Sequence, residues 1–215
     1  MAKQRQSRRR RGHRSVGQRL RAALVLFAVE GKTEWEYLLA LQQARYDRRL
    51  AFRPVARSDK TSLRNLVEAA RRAERENRGC HVWIVCDTDK NSDHRERVES
   101  WLEENDHHHL ALTHPSFEYW LLRHIDGEGS PQTAAQAENE LKKRMPDYQK
   151  GARFHTSFVE KIESACEREC KRRSSIGEPD LWAGDPGTTC HDMIAFLDFL
   201  VADHERREMK LKERK

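Results

Sequence analysis

Apolar residues recur along the chain in two rhythms. Residues 22–29 (AALVLFAV) and 81–86 (HVWIVC) are apolar almost throughout, the pattern of strands covered on both faces in a parallel sheet. Residues 50–56 and 110–113 read as two further strands. Between the strands the spacing becomes helical. Trp35, Leu38, Leu39 and Leu41 follow Thr33, a suitable N-cap. Leu63, Leu66, Val67 and Ala70 mark an amphipathic helix over residues 62–77, stopped by Gly79. Residues 92–104 predict a polar helix, and Pro115 opens an apolar one through Phe117, Trp120, Leu121 and Leu122, because proline fits a first helical turn. Strands alternating with helices predict an α/β fold with an open, mainly parallel, four-stranded sheet and right-handed crossovers.

The rhythm changes after Asp126. Gly127-Glu128-Gly129-Ser130-Pro131 is a break, and beyond it only helices are predicted, over residues 134–144, 156–172 and 188–213. A turn-rich loop, residues 174–186, separates the last two. The expected organisation is a disordered basic arm (1–20), an α/β domain (21–126) and an all-helical C-terminal region (127–215).

Charge sharpens the view of the arm. The 215 residues include 41 Lys and Arg against 35 Asp and Glu, a formal charge of +6. Seven of those cations lie between Lys3 and Arg14, and no acid precedes Glu30. The rest of the chain is therefore nearly neutral. Such an arm cannot bury enough apolar surface to order itself, and Arg8, Arg9, Arg10 and Arg11 are candidate contacts to nucleic-acid phosphates. A mean hydropathy of −0.96 and the lack of any long apolar run speak against a membrane protein. The N-terminal segment has charge but no apolar stretch behind it, unlike a secretory signal. Five scattered cysteines suit reduced thiols and a cytoplasmic location.

Four acids stand at strand ends: Glu30, Asp87, Asp89 and Glu118. In an open parallel sheet the strands' C-terminal ends share one edge, where ligands bind. Gathered carboxylates repel one another unless a cation sits among them, and Mg²⁺ (or Mn²⁺) prefers such oxygen ligands. Lys32 and Lys90 stand beside the acids, as stabilisation of charge on a phosphoryl group requires. Arg57 and Lys60 follow the second strand on the same edge and are further candidate phosphate contacts. A P-loop is excluded, because Gly31-Lys32 lacks the upstream glycine spacing. A dehalogenase-type phosphatase would carry its nucleophile on the first strand, where Glu30 stands.

Three strings resemble the RloB family of bacterial defence proteins: Val29-Glu30-Gly31-Lys32-Thr33-Glu34, Cys86-Asp87-Thr88-Asp89 and His114-Pro115-Ser116-Phe117-Glu118-Tyr119-Trp120-Leu121-Leu122. Asp185-Pro186-Gly187-Thr188-Thr189-Cys190-His191 resembles the same family's C-terminal element. The resemblance implies a Toprim-like catalytic domain, with Glu30 as general acid/base and Asp87 and Asp89 as Mg²⁺ ligands. Glu118 would be a further acid, and anti-phage or abortive-infection activity beside a partner ATPase of the RloA or ABC type is implied. The expectation is a metal-dependent nuclease with Glu30, Lys32, Asp87, Asp89 and Glu118 at its centre, acting on DNA or RNA. A non-catalytic nucleic-acid-binding subunit and a phosphomonoesterase are the alternatives, and homo-oligomerisation is left open.

Other candidates read more plainly. His107-His108-His109 is expected in a surface turn, and Cys166, Cys170, Cys190 and His191 lack the usual zinc spacing. Trp182, in the loop with Gly184 and Pro186, reads as a loop anchor, with contact to a nucleic-acid base as the alternative.

Overall fold

The computed structural model describes residues 22–55, 62–88, 94–125 and 129–213. Strand β1 (Ala23–Val29) leads into helix α1 (Lys32–Leu41), a π-helical turn (Gln42–Tyr46) and strand β2 (Leu50–Pro54). Helix α2 (Leu63–Glu76), strand β3 (His81–Asp87), helix α3 (Arg95–Glu103), strand β4 (His108–His114) and helix α4 (Phe117–His124) follow in alternation. Then come α5 (Ala134–Arg144), α6 (Thr156–Val159), α7 (Ile162–Ile176), a 3₁₀ turn (Leu181–Ala183), strand β5 (Gly187–Thr188) and α8 (Cys190–Glu213).

The sheet order is β2-β1-β3-β4-β5, with the first three pairings parallel and β4–β5 antiparallel. It is the open, mainly parallel α/β sheet that the alternation predicts, consistent with a Toprim-like architecture. The fifth strand is an addition to the four expected. It is two residues long and comes from the otherwise helical C-terminal region, too short to leave a periodic signature.

Alternation across the strands explains their continuous apolar character. Val25, Phe27, Val29, Trp83, Val85 and Ala111 face a core shared with α1, α4, α7 and α8. Leu26, Ala28, Val82, Ile84, Cys86 and Leu112 face a second core with α2 and α3. Leu63, Leu66, Val67 and Ala70 of α2 are fully buried at i, i+3, i+4 and i+7 spacing. Burial of each larger side chain contributes on the order of 2 kcal/mol.

β4 begins two residues earlier than the apolar run suggests, which overturns the expected surface turn at the histidines. His108 is buried, stacked on Trp101 at 4.2 Å, and its ring nitrogens meet Trp101 O and Glu74 Oε2. His109 stacks on Trp83 at 4.8 Å. Imidazoles with an aromatic face and polar partners serve as strand residues. Only His107 remains in the turn.

Chain order sets where the sheet can bind. β1 connects through α1 to β2 on one side, and β2 returns through α2 to β3 on the other. The direction of winding therefore reverses between β1 and β3, and a crevice opens beyond their C-terminal ends. Glu30 and Asp87 stand at those two ends.

Candidate functional site

Glu30 follows β1 directly, its backbone N–H bound to Val85 O at 3.2 Å. Its Oε2 accepts from the backbone N–H of Asp87 at 3.3 Å. The two acids, 57 residues apart in sequence, are thus neighbours. Thr88 continues the line: its N–H donates to Thr113 O at 3.0 Å and its hydroxyl pairs with His114 Nδ1, joining the ends of β3 and β4.

Two helix starts complete the rim. Ser116 precedes α4, and its hydroxyl donates to Glu118 Oε2 at 2.7 Å. Glu118 is only 1% exposed; Tyr148 OH donates to its Oε1 at 2.9 Å, and Lys150 Nζ lies 3.3 Å from the same oxygen. α1 begins similarly. Glu34, in its first turn, is buried, and among the described residues its Oε2 has no hydrogen-bond partner. Gly31 makes this possible, since a Cβ there would stand 2.8 Å from Glu34 Oε2. Gly151, at φ 74°, is the second glycine the site needs: its N–H donates to Thr33 Oγ1 at 2.9 Å, and a Cβ would meet the Lys32 stem at 3.2 Å.

The electrostatics follow from crowding. Burial raises Glu34 to about 7, helped by the charges of Glu118 and Glu30 and opposed by its own backbone N–H and by Lys150. Asp87 is half-buried overall, but its Oδ1 is shielded from solvent. Burial, then the charges of Glu34, Glu30 and Glu118, lift its carboxyl well above the usual range. Glu118 goes the other way. Burial alone would raise it, but Ser116, Lys150, Tyr148 and the helix-start backbone hold it below the ordinary value. Desolvation pulls Lys150 downward, but Glu118, and then Asp87 and Glu34, outweigh it and raise its ammonium above the ordinary lysine value.

Among the expected residues, the fold brings Glu30, Asp87 and Glu118 to this one rim. Lys32 is exposed at the start of α1, its stem against Gly151. Asp89, Lys90, Arg57, Lys60, Arg8, Arg9, Arg10 and Arg11 lie outside the described residues. Glu34, Tyr148 and Lys150 are the residues that sequence reasoning missed. Glu34 had a signal: with Leu38 and Leu41 it makes an i, i+4, i+7 stripe, so an acid occupies a core-facing position. Tyr148 and Lys150 follow α5 in irregular chain, where no periodicity points anywhere. Trp182 anchors its loop against the α2/α3 core, and His191 pairs with Arg173 and Asp192.

An all-carboxylate donor set suits a hard divalent cation, and the unpartnered buried oxygen of Glu34 marks a deficit of positive charge. In the arrangement described, no group of three or more His, Cys, Asp or Glu side chains is drawn together closely enough to hold a metal ion. The chemistry of the donors fits such an ion; their closure around it does not appear among the described residues.

A family model described as RloB-like protein matches residues 25–197, from the middle of β1 into α8. The chain belongs to the RloB-like family. The matched span holds every acid of the rim, together with Tyr148 and Lys150. RloB-like membership fits a defence-associated role. No curated protein and no solved structure matches the chain. Among the described residues, no helix of this RloB-like chain is long and apolar enough to cross a membrane.

Proposed function

We propose that this RloB-like protein is a Mg²⁺- or Mn²⁺-dependent nuclease that hydrolyses phosphodiester bonds of DNA or RNA in anti-phage defence, working in the cytoplasm beside a partner ATPase. One observation carries the reading: Glu30, Glu34, Asp87 and Glu118 are gathered at the winding reversal of the sheet, where burial, reinforced by their mutual repulsion, raises two of them, with Lys150 at their edge. A fold tolerates such a cluster at a cost in stability, which is the usual sign of a site kept for chemistry.

The residues divide the work. Glu30 and Asp87, at the crevice, together with ionised Glu118, would hold the cation, with Asp89 completing the set. Bound there, the cation would polarise a phosphoryl oxygen and acidify a coordinated water. Tyr148 and Ser116 fix the Glu118 carboxylate in place by hydrogen bonds to its two oxygens. Lys150 brings a fixed positive charge to the rim, where negative charge grows on the phosphorus oxygens. The two first turns, of α1 and α4, add their partial positive charge at the same edge.

The spacing of the described carboxylates favours one competing reading, a nucleic-acid-binding subunit whose acids hold structure or a partner. Incubation with total RNA and with plasmid DNA, with and without Mg²⁺ or Mn²⁺, separates the two. The nuclease reading expects metal-dependent cleavage that falls by on the order of 10³-fold in Asp87→Asn while nucleic-acid binding persists. Binding without cleavage by the unaltered protein overturns it.

A further inference from the structure

Tyr148 has two sides. Its hydroxyl touches Glu118, and the residue also lines a cavity of about 520 Å³ together with its neighbours Asp147, Gln149 and Ala152. Ile125, Met145, Phe154 and Phe158 supply an apolar floor, all four half-buried. The Phe154 and Phe158 rings lie 5.3 Å apart, tilted by 38°, and Phe158 is braced from behind by a stacked His124 at 4.8 Å. Around this floor stand Arg144, Arg153 and Lys161 against one acid, Asp147. Arg144 is engaged by Glu140, whereas Arg153 and Lys161 are exposed at the rim.

We propose that this cavity is a nucleic-acid subsite that takes a single-stranded segment next to the scissile phosphate, an assignment resting on the nuclease reading above. A base seats against Phe154 and Phe158, and the backbone phosphates on either side of it meet Arg153 and Lys161. The chemistry selects this class of ligand. Flat aromatic surfaces accept any base, and cations at the rim neutralise phosphates without reading sequence. The size is that of a nucleotide-scale pocket. Direction is set as well: a neighbouring concavity of about 460 Å³ shares Arg153 and Phe154 but is lined by Glu36 and Asp47, which repel a polyanion. The strand would therefore run from the Glu118 rim past Tyr148 toward Lys161.

The test uses the full chain in EDTA with a thiothymidine-containing single-stranded oligonucleotide, irradiated and digested with trypsin. Cleavage after Arg153 and Lys161 releases residues 154–161 as one peptide, and the crosslink is expected there. Contacts made by the arginine-rich arm fall on other peptides. The double variant Arg153→Glu/Lys161→Glu changes two exposed side chains. It should weaken oligonucleotide binding about tenfold or more and flatten its salt dependence by about one unit of slope per cation. Crosslinks confined to other segments, or a change in affinity below about twofold, overturn the subsite. The two readings fail separately. Metal-dependent cleavage with an unchanged KM in the double variant removes the subsite and leaves the nuclease. A crosslink in residues 154–161 that is missing from residues 151–168 of the double variant, the peptide left once both trypsin sites are gone, without any cleavage of nucleic acid by the unaltered protein removes the nuclease and leaves the binding site.

Discussion

Strand β3 starts at His81 and finishes at Asp87, and its two ends gather titratable side chains with opposite results. At the start, His81 Nδ1 meets His109 Nε2 at 2.9 Å, His109 lies over Trp83, and Phe196 packs 4.4 Å from His109. Burial, and then neighbouring imidazoles, lower both His81 and His109 to about 4, so near neutral pH the rings are uncharged aromatic packing. At the finish, burial and like charges raise Glu34 to about 7 and lift Asp87, while Glu118 is held ionised. An imidazole cluster relieves itself at neutral pH by losing protons. A carboxylate cluster can do so only by gaining protons or a cation. Density of titratable groups is thus uninformative by itself; what distinguishes the ends is whether the cluster can neutralise itself at the pH where the protein works.

Three changes test that contrast. The largest effect is expected from Lys150→Met, which removes the cation at the acidic end: cleavage should fall about 10²-fold, near 2.7 kcal/mol of lost transition-state stabilisation. Single-turnover rates with saturating nucleic acid check this, and an unchanged rate would show that Lys150 only holds Glu118 in place.

Glu34→Gln comes next and acts on stability. A carboxyl raised in the folded state stabilises fully below its unfolded value of 4.5, and that contribution is lost as pH rises through about 7. In EDTA the variant should therefore be more stable than the unaltered protein at pH 8, by on the order of 2 kcal/mol, and equal to it near pH 4. Denaturant melts at the two values decide it. Magnesium should raise the melting temperature of the unaltered protein more at pH 8 than at pH 5.

His109→Leu is the smallest and has the opposite pH sign. A lowered imidazole stabilises above its unfolded value of 6.5, and that contribution is lost as pH falls toward about 4. The variant should lose less stability than the unaltered protein across that window, by under about 1 kcal/mol for a partly exposed ring, with cleavage unchanged. A His109→Leu protein that lost activity would tie the two ends together and break the contrast.

Sequence patterns reach the sheet more easily than the site. β1 and β3 announce themselves because burial on both faces leaves no polar position to interrupt them. α5 runs over Ala134–Arg144 as its composition predicts. The expected helix over residues 156–172 is divided at Lys161, whose backbone leaves helical angles at ψ 9°. β5 has two residues and owes its existence to a partner, β4, that lies 75 residues away. In the site, Glu30, Asp87 and Glu118 are readable because each follows a strand. Glu34 is readable only as a polar conflict within an apolar stripe. Tyr148 and Lys150 are placed by the packing of α4 against α5, and contacts of that range carry no local signature.

β5 has a bearing on how the protein is made. The outer edge of β4 is closed by residues that leave the ribosome long after it: Leu112 N–H donates to Thr189 Oγ1 at 2.8 Å, and Leu112 O accepts from Thr189 N at 2.9 Å, across 77 positions. Until Thr188 and Thr189 have been synthesised, that edge is a bare row of backbone donors and acceptors, adhesive toward any other extended strand. A nascent chain, or one truncated before residue 187, would carry the acidic rim beside an open, aggregation-prone border. The last stitch of the sheet comes from α8's own threshold.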